Sequence, residues 1–185
     1  MSRYPVYTIE SAPAQSRLVL EQLQQTFGLI PNAAGKMAGS PVLIKAFIGI
    51  FERVHASSLT EPQIQTLLLT NAVANASVWP VAFHTALALK EGVHPADVDA
   101  IRQGVLPDDP ELAALSALAR ALIEKRGHLA EWDENRFLEA GFSAEQLLEV
   151  IAVVAASTIT NYTSSVTQPP LEARFEAFAW HARAA

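Results

Sequence analysis

NASVWPVAFHTALALKEGV, residues 75–93, is the stretch whose reading decides the fold. Pro80 has no N–H to donate, so a helix tolerates it in the first turn and not in the interior. The residue before it, Trp79, is pushed away from helical angles. A helix is therefore expected over about 79–91, with Ser77 at or just outside its N-terminus. Gly92 marks the stop, because a glycine accepts the left-handed conformation that commonly caps a helix. Steps of three, four and seven residues return to one helical face, which puts Ser77, Pro80, Val81 and His84 on one side. His84 is the only titratable side chain before Lys90 in this otherwise apolar and small-residue segment.

The rest of the chain punctuates in the same way. Ser11 is a candidate cap for a helix carrying Pro13 in its first turn and Leu18, Val19, Leu23 and Phe27 on its face, ending at Gly28. Residues 28–40 read as a bend with room for one short helix. Ser40-Pro41 opens the next helix. Thr60 with Gln63, and Ser143 with Gln146, match the capping-box pattern Ser/Thr-x-x-Gln and open helices over about 61–75 and 144–162. Pro95 and Asp109-Pro110 start two more, WDENRFLEAG (132–141) gives a short one, and Pro169-Pro170 breaks the chain before a last helix over 171–183. No alternating strand pattern with hairpin turns occurs. The expectation is an all-α domain spanning 1–185, with eight to ten helices. The run 147–160 is apolar almost all round, which predicts a place at the centre of the bundle or in a subunit contact.

Composition narrows the chemistry. Half of the 185 residues are hydrophobic and 17% are charged, which favours a folded core and some apolar surface buried between subunits. The net charge is −6 and Lys and Arg are not clustered, so nucleic acid is not an expected partner. There is no cysteine, which excludes disulfides, thiolate ligands and thiol nucleophiles. The scattered His55, His94, His128 and His181 make no ligand spacing, so neither a metal nor another cofactor is expected. The N-terminal MSRYPVYTIE lacks an apolar signal core, and 147–160 is short for a membrane span. A cytoplasmic protein that does not touch a membrane is the expectation.

Residues 75–93 resemble the core motif of the AhpD-like / carboxymuconolactone decarboxylase family. In its thiol peroxidase members the motif runs Asn-x-Cys-x-x-Cys-x-x-x-His. Asn75 and His84 match; Ser77 and Pro80 stand at the two cysteine positions. Those members carry a glutamate twelve residues before the first cysteine, and here that position is Gln65. FGLIPNAAGKMAGSPVLIKAF (27–47) and EQLLEVIAVVAASTITNY (145–162) resemble flanking segments of the peroxidase-related branch. The resemblance implies an AhpD-like multi-helix bundle and a trimeric or hexameric homo-oligomer. It also implies a chain that keeps only the histidine of a four-part relay. A two-cysteine peroxidase needs one thiolate to attack the peroxide and a second thiol to resolve the sulfenic acid. Neither serine nor proline does this, and Gln65 accepts no proton as a carboxylate does.

Three readings of the site remain. His84 is the candidate catalytic residue in a decarboxylase- or isomerase-type reaction, as acid, base or enolate stabiliser. Alternatively it contacts a small ligand in a pocket lined by Gln65, Ser77, Trp79, Phe83 and Asn161. In the third reading it is a core or interface histidine and the protein has no site. Ser77 is read as a helix cap rather than a nucleophile, because no acid partner or oxyanion hole accompanies the pair. Lys45, Arg53 and Lys90 are the cations available to an acidic substrate. Trp79 and Phe83 beside His84 predict an apolar environment that depresses its pKa. Glu131, Asp133 and Glu134 read as a solvated acidic face.

Overall fold

The computed structural model describes residues 3–182, and among these no strand occurs. Nine α-helices follow one another there: α1 (Ala14–Phe27), α2 (Asn32–Met37), α3 (Pro41–Val54), α4 (Glu61–Ala74), α5 (Val78–Lys90), α6 (Pro95–Arg102), α7 (Pro110–Glu124), α8 (Glu131–Glu139) and α9 (Ala144–Thr167), with a 3-10 turn at Ala173–Phe178. The all-α expectation holds, and so do most of the starts. The Thr60 N–H donates to Gln63 Oε1 at 2.9 Å. At α9 the box closes in both directions, Ser143 N–H to Gln146 Oε1 at 2.9 Å and Gln146 N–H to Ser143 Oγ at 3.1 Å. Ser40, His94 and Asp109 cap α3, α6 and α7 by accepting backbone N–H groups.

Several boundaries differ from the sequence reading. Ser11 does not cap α1: Pro13 holds the cap position, and Ser11 Oγ accepts the Thr8 N–H at 2.9 Å, so the hydroxyl is spent on a preceding turn. The expected helix over 171–183 is only the 3-10 turn, followed by irregular chain to residue 182; residue 183 lies outside the described part. α9 runs to Thr167, five residues beyond the expected end, and is the one helix among the described residues long and apolar enough to cross a membrane. One side of it packs against α2, α3, α4, α5 and α7.

The centre of the bundle is α4 rather than α9. Residues 64–72 of α4 are all buried, including Gln65, Thr66, Thr70 and Asn71. α5 packs beside it with Trp79 to Thr85 buried. α9 buries Val150, Val153, Ala156, Ser157, Thr160, Asn161 and Ser164, and exposes Leu148, Ile151, Tyr162 and Val166. The main apolar cluster joins Leu67 of α4, Leu115 and Leu118 of α7, Phe137 of α8 and Val150 and Val153 of α9. A second cluster seats α1, α2 and α3 together. There the N-terminal segment runs across α2, with Tyr7 N–H donating to Gly35 O at 3.1 Å. A Cβ at Gly35 would lie 2.7 Å from Val6 and 3.0 Å from the Tyr7 carbonyl, so only glycine permits that approach.

The acidic group on α8 is not uniformly solvated. Asp133 is buried, accepting Lys125 Nζ and the Ala130 N–H, and those donors hold its carboxyl below the ordinary range. Lys125 also lies over the Trp132 ring, 4.3 Å from its centre.

Candidate functional site

The turn between α4 and α5 sets the register of the histidine. Asn75 ends α4, Ala76 takes a left-handed φ of 50°, and Ser77 starts α5. The Ser77 N–H returns to Ala72 O at 2.9 Å and the Ala76 N–H to Val73 O at 3.0 Å, the paired bonds of a Schellman stop. Pro80 falls in the first turn of α5, where its missing N–H costs no helix bond. Ser77 occupies the N-cap position, but its hydroxyl makes no cap bond. It donates instead to the Asn161 carbonyl at 3.2 Å, tying α5 to α9. At the far end Gly92, with φ 89°, closes the segment as expected.

His84 lies one turn beyond Pro80 and is 95% buried. Its Nδ1 is 3.1 Å from Gln65 Oε1 on α4. Its Nε2 has no partner among the described residues and is not sealed off; the side chain lines a cavity between α1, α2, α3, α4, α5 and α9. The walls are nearly all apolar: Phe27, Phe47, Phe51, Trp79 and Phe83 supply rings, and His84 and Thr160 are the polar side chains. Trp79 stacks on Phe83 with centres 4.8 Å apart, and Phe83 meets His84 edge-on at 5.3 Å. The void admits the centres of water-sized spheres over about 40 Å³. That is room for roughly three waters, or one small ring. Burial pushes the His84 pKa from 6.5 down to about 3, with a smaller push from nearby His55. The imidazole is neutral at physiological pH.

A wider outer cavity of about 470 Å³ adjoins this one, sharing Leu23, Phe27 and Phe51 as a wall. Gln65 lines it together with Glu52, Glu61, Glu91 and Lys90. His55 also lines it, with Nδ1 2.8 and 3.0 Å from the two carboxylate oxygens of Glu61. Gln65 thus lines the acidic outer cavity and meets the apolar inner one only through His84.

Of the residues picked from sequence, Trp79, Phe83 and His84 share the inner cavity. Gln65 reaches it through His84. Ser77 and Asn161 are buried beside each other behind α5, where Asn161 Nδ2 donates to Ser157 Oγ at 3.1 Å. Tyr162 points outward, 62% exposed. Lys45 and Arg53 do not line the inner cavity, and Lys90 lines only the outer one. Among the described residues no group of three or more His, Cys, Asp or Glu gathers as a metal site would. One residue the sequence did not announce is Glu172. It accepts the Trp79 indole N–H at 2.9 Å and the Asn32 N–H at 2.6 Å, so the C-terminal strap holds a wall of the cavity.

No protein-family model matches the chain, and no curated protein matches it. Solved structures do. A peroxidase-related protein from Ralstonia eutropha JMP134, described as an alkylhydroperoxidase AhpD core, superposes with a TM-score of 0.84 at 21% identity, over 94% of each chain. The debrominase Bmp8, in a variant bound to 2,3,4-tribromopyrrole, superposes at 0.80 with 20% identity over 96% of each chain. A peroxidase-related protein from Silicibacter sp. TM1040 gives 0.76 at 17% identity, over 94% of this chain and 92% of that one. The protein has the AhpD-like all-α fold. It is a version of that fold without any cysteine, with a buried neutral histidine facing an aromatic cavity.

Proposed function

We propose that this protein is a cysteine-free relative of the AhpD-like peroxidase-related proteins that binds a small molecule in the His84 cavity and runs no thiol peroxidase cycle. The observation that carries this reading is His84 itself. A 95% buried imidazole, with Nδ1 on Gln65 and its side chain in the wall of an aromatic cavity that holds no charged group, puts one hydrogen-bonding nitrogen within reach of a small guest. The complex of Bmp8 with a small brominated heterocycle lends support, since that protein shares the fold and binds a single-ring molecule. A decarboxylase or isomerase role is less favoured. A histidine with a pKa of about 3 is not an imidazolium acid at neutral pH, and is a weak base.

The reading extends to a soluble cytoplasmic protein that assembles with itself through α9. Leu148, Ile151, Tyr162 and Val166 are all exposed and fall within about 60° of one another around the helix axis.

A thermal-shift screen of small apolar compounds on wild type and His84→Ala tests the ligand reading. Hits that stabilise wild type and lose their effect in the variant are expected; hits equally effective on both remove His84 as a contact. An assay with an organic hydroperoxide and a dithiol should show no turnover above the buffer rate, and appreciable turnover would overturn the non-thiol reading.

A further inference from the structure

The two cavities together fix which hydrogen-bonding face His84 shows. The Gln65 amide has Oε1 on His84 Nδ1, and the same side chain lines the outer cavity. Three carboxylates, Glu52, Glu61 and Glu91, line that outer cavity against one ammonium, Lys90, which pairs with Glu91 at 3.2 Å. A negative surrounding attracts the amide NH₂ and repels the amide oxygen. The carbonyl oxygen therefore faces the histidine and accepts the Nδ1 proton. In a neutral imidazole this leaves Nε2 as a lone pair without a hydrogen.

The inner cavity thus offers an acceptor nitrogen among aromatic rings, with the Thr160 hydroxyl as the other polar group and no charged side chain. Phe27, Phe51, Trp79 and Phe83 favour a flat apolar body. An anion would meet the lone pair and no cation; a cation would lose its hydration without an anion to replace it. The void suits one ring.

Building on the ligand reading above, we infer that the cavity takes a small, flat, uncharged molecule carrying one N–H or O–H donor, bound with that hydrogen on His84 Nε2. Phenols and heteroaromatics with a ring N–H are the chemical class. Calorimetric titration at pH 7 with phenol, anisole, pyrrole, N-methylpyrrole and benzoate tests it. Phenol and pyrrole should bind about tenfold more tightly than their methylated counterparts, the worth of one hydrogen bond to a buried acceptor. Benzoate should not bind. In His84→Leu the preference for the donor should vanish while anisole still binds.

Equal affinity for phenol and anisole in wild type would overturn the donor requirement and leave the pocket reading standing. Failure of all five probes would remove both. The long-range ¹H–¹⁵N correlation of wild-type His84 needs no variant: a pyridine-type Nε2 resonance is expected, and a pyrrole-type Nε2 would overturn the inference.

Discussion

His84 makes the protein's stability depend on acidity in a direction fixed by its burial. The folded imidazole has a pKa of about 3, and the unfolded one titrates near 6.5. Below pH 6.5 the unfolded chain takes up a proton that the folded chain refuses. The His84 contribution is therefore whole above pH 6.5 and is lost progressively as the pH falls toward 3. The slope between those limits approaches about 1.4 kcal/mol per pH unit. Urea unfolding of wild type and His84→Leu at pH 7, 6, 5 and 4 should show a steeper loss in wild type. Parallel curves would mean that His84 is protonated or solvated in the fold. The sequence carried the sign of this shift, because Trp79 and Phe83 flank the histidine. It did not show the Gln65 contact as a hydrogen bond, since the partners are 19 positions apart and meet only when α4 and α5 pack.

At the level of elements, the α4–α5 turn and the C-terminal strap hold the site in place. Ala76 sits at φ 50°, a conformation that an L side chain resists and glycine accepts. Ala76→Gly is expected to stabilise the fold by about 0.5–1 kcal/mol in denaturant titration, with ligand binding unchanged. A loss of stability would show that the methyl group packs more strongly than the backbone strains. Glu172 works over a longer reach. Removing it as Glu172→Ala leaves the Trp79 indole N–H and the α2 N-terminus without their acceptor. A cost of roughly 1–3 kcal/mol is expected, together with a change in tryptophan emission; an unaltered emission spectrum would mean that the strap does not hold Trp79. The helix starts were legible because Ser, Thr, Asp and Pro act on backbone groups within a few positions. Glu172 was not, because the N–H groups that it accepts lie 93 and 140 positions away.

For the whole molecule, the exposed stripe on α9 decides how copies meet under the proposed assembly. Tyr162→Lys puts a charge in the middle of that stripe without touching the core, since Tyr162 is 62% exposed. Light scattering coupled to size exclusion should show a larger species for wild type and a shift toward the monomer mass for the variant. A monomeric wild type would remove the self-association reading. That α4 rather than α9 forms the centre could not be seen in composition. α4 carries Gln65, Thr66, Thr70 and Asn71, and the bundle buries them all, Thr70 paired with Ser116 of α7 at 2.8 Å. Gln65 and Thr70 meet partners on α5 and α7, while Thr66 Oγ1 and both side-chain polar atoms of Asn71 have none among the described residues, and only packing decides which is which.

By itself the sequence determined what local chemistry determines. Capping residues and prolines set most of the helices, and the lack of cysteine removed thiol chemistry whatever the fold. The tertiary structure decided which polar groups meet. It set Gln65 on an acidic cavity with His84 behind it, turned Ser77 from a cap into an inter-helix donor, and buried Asp133 under Lys125. Those outcomes depend on desolvation and on partners brought together from distant positions, and neither exists until the helices have packed.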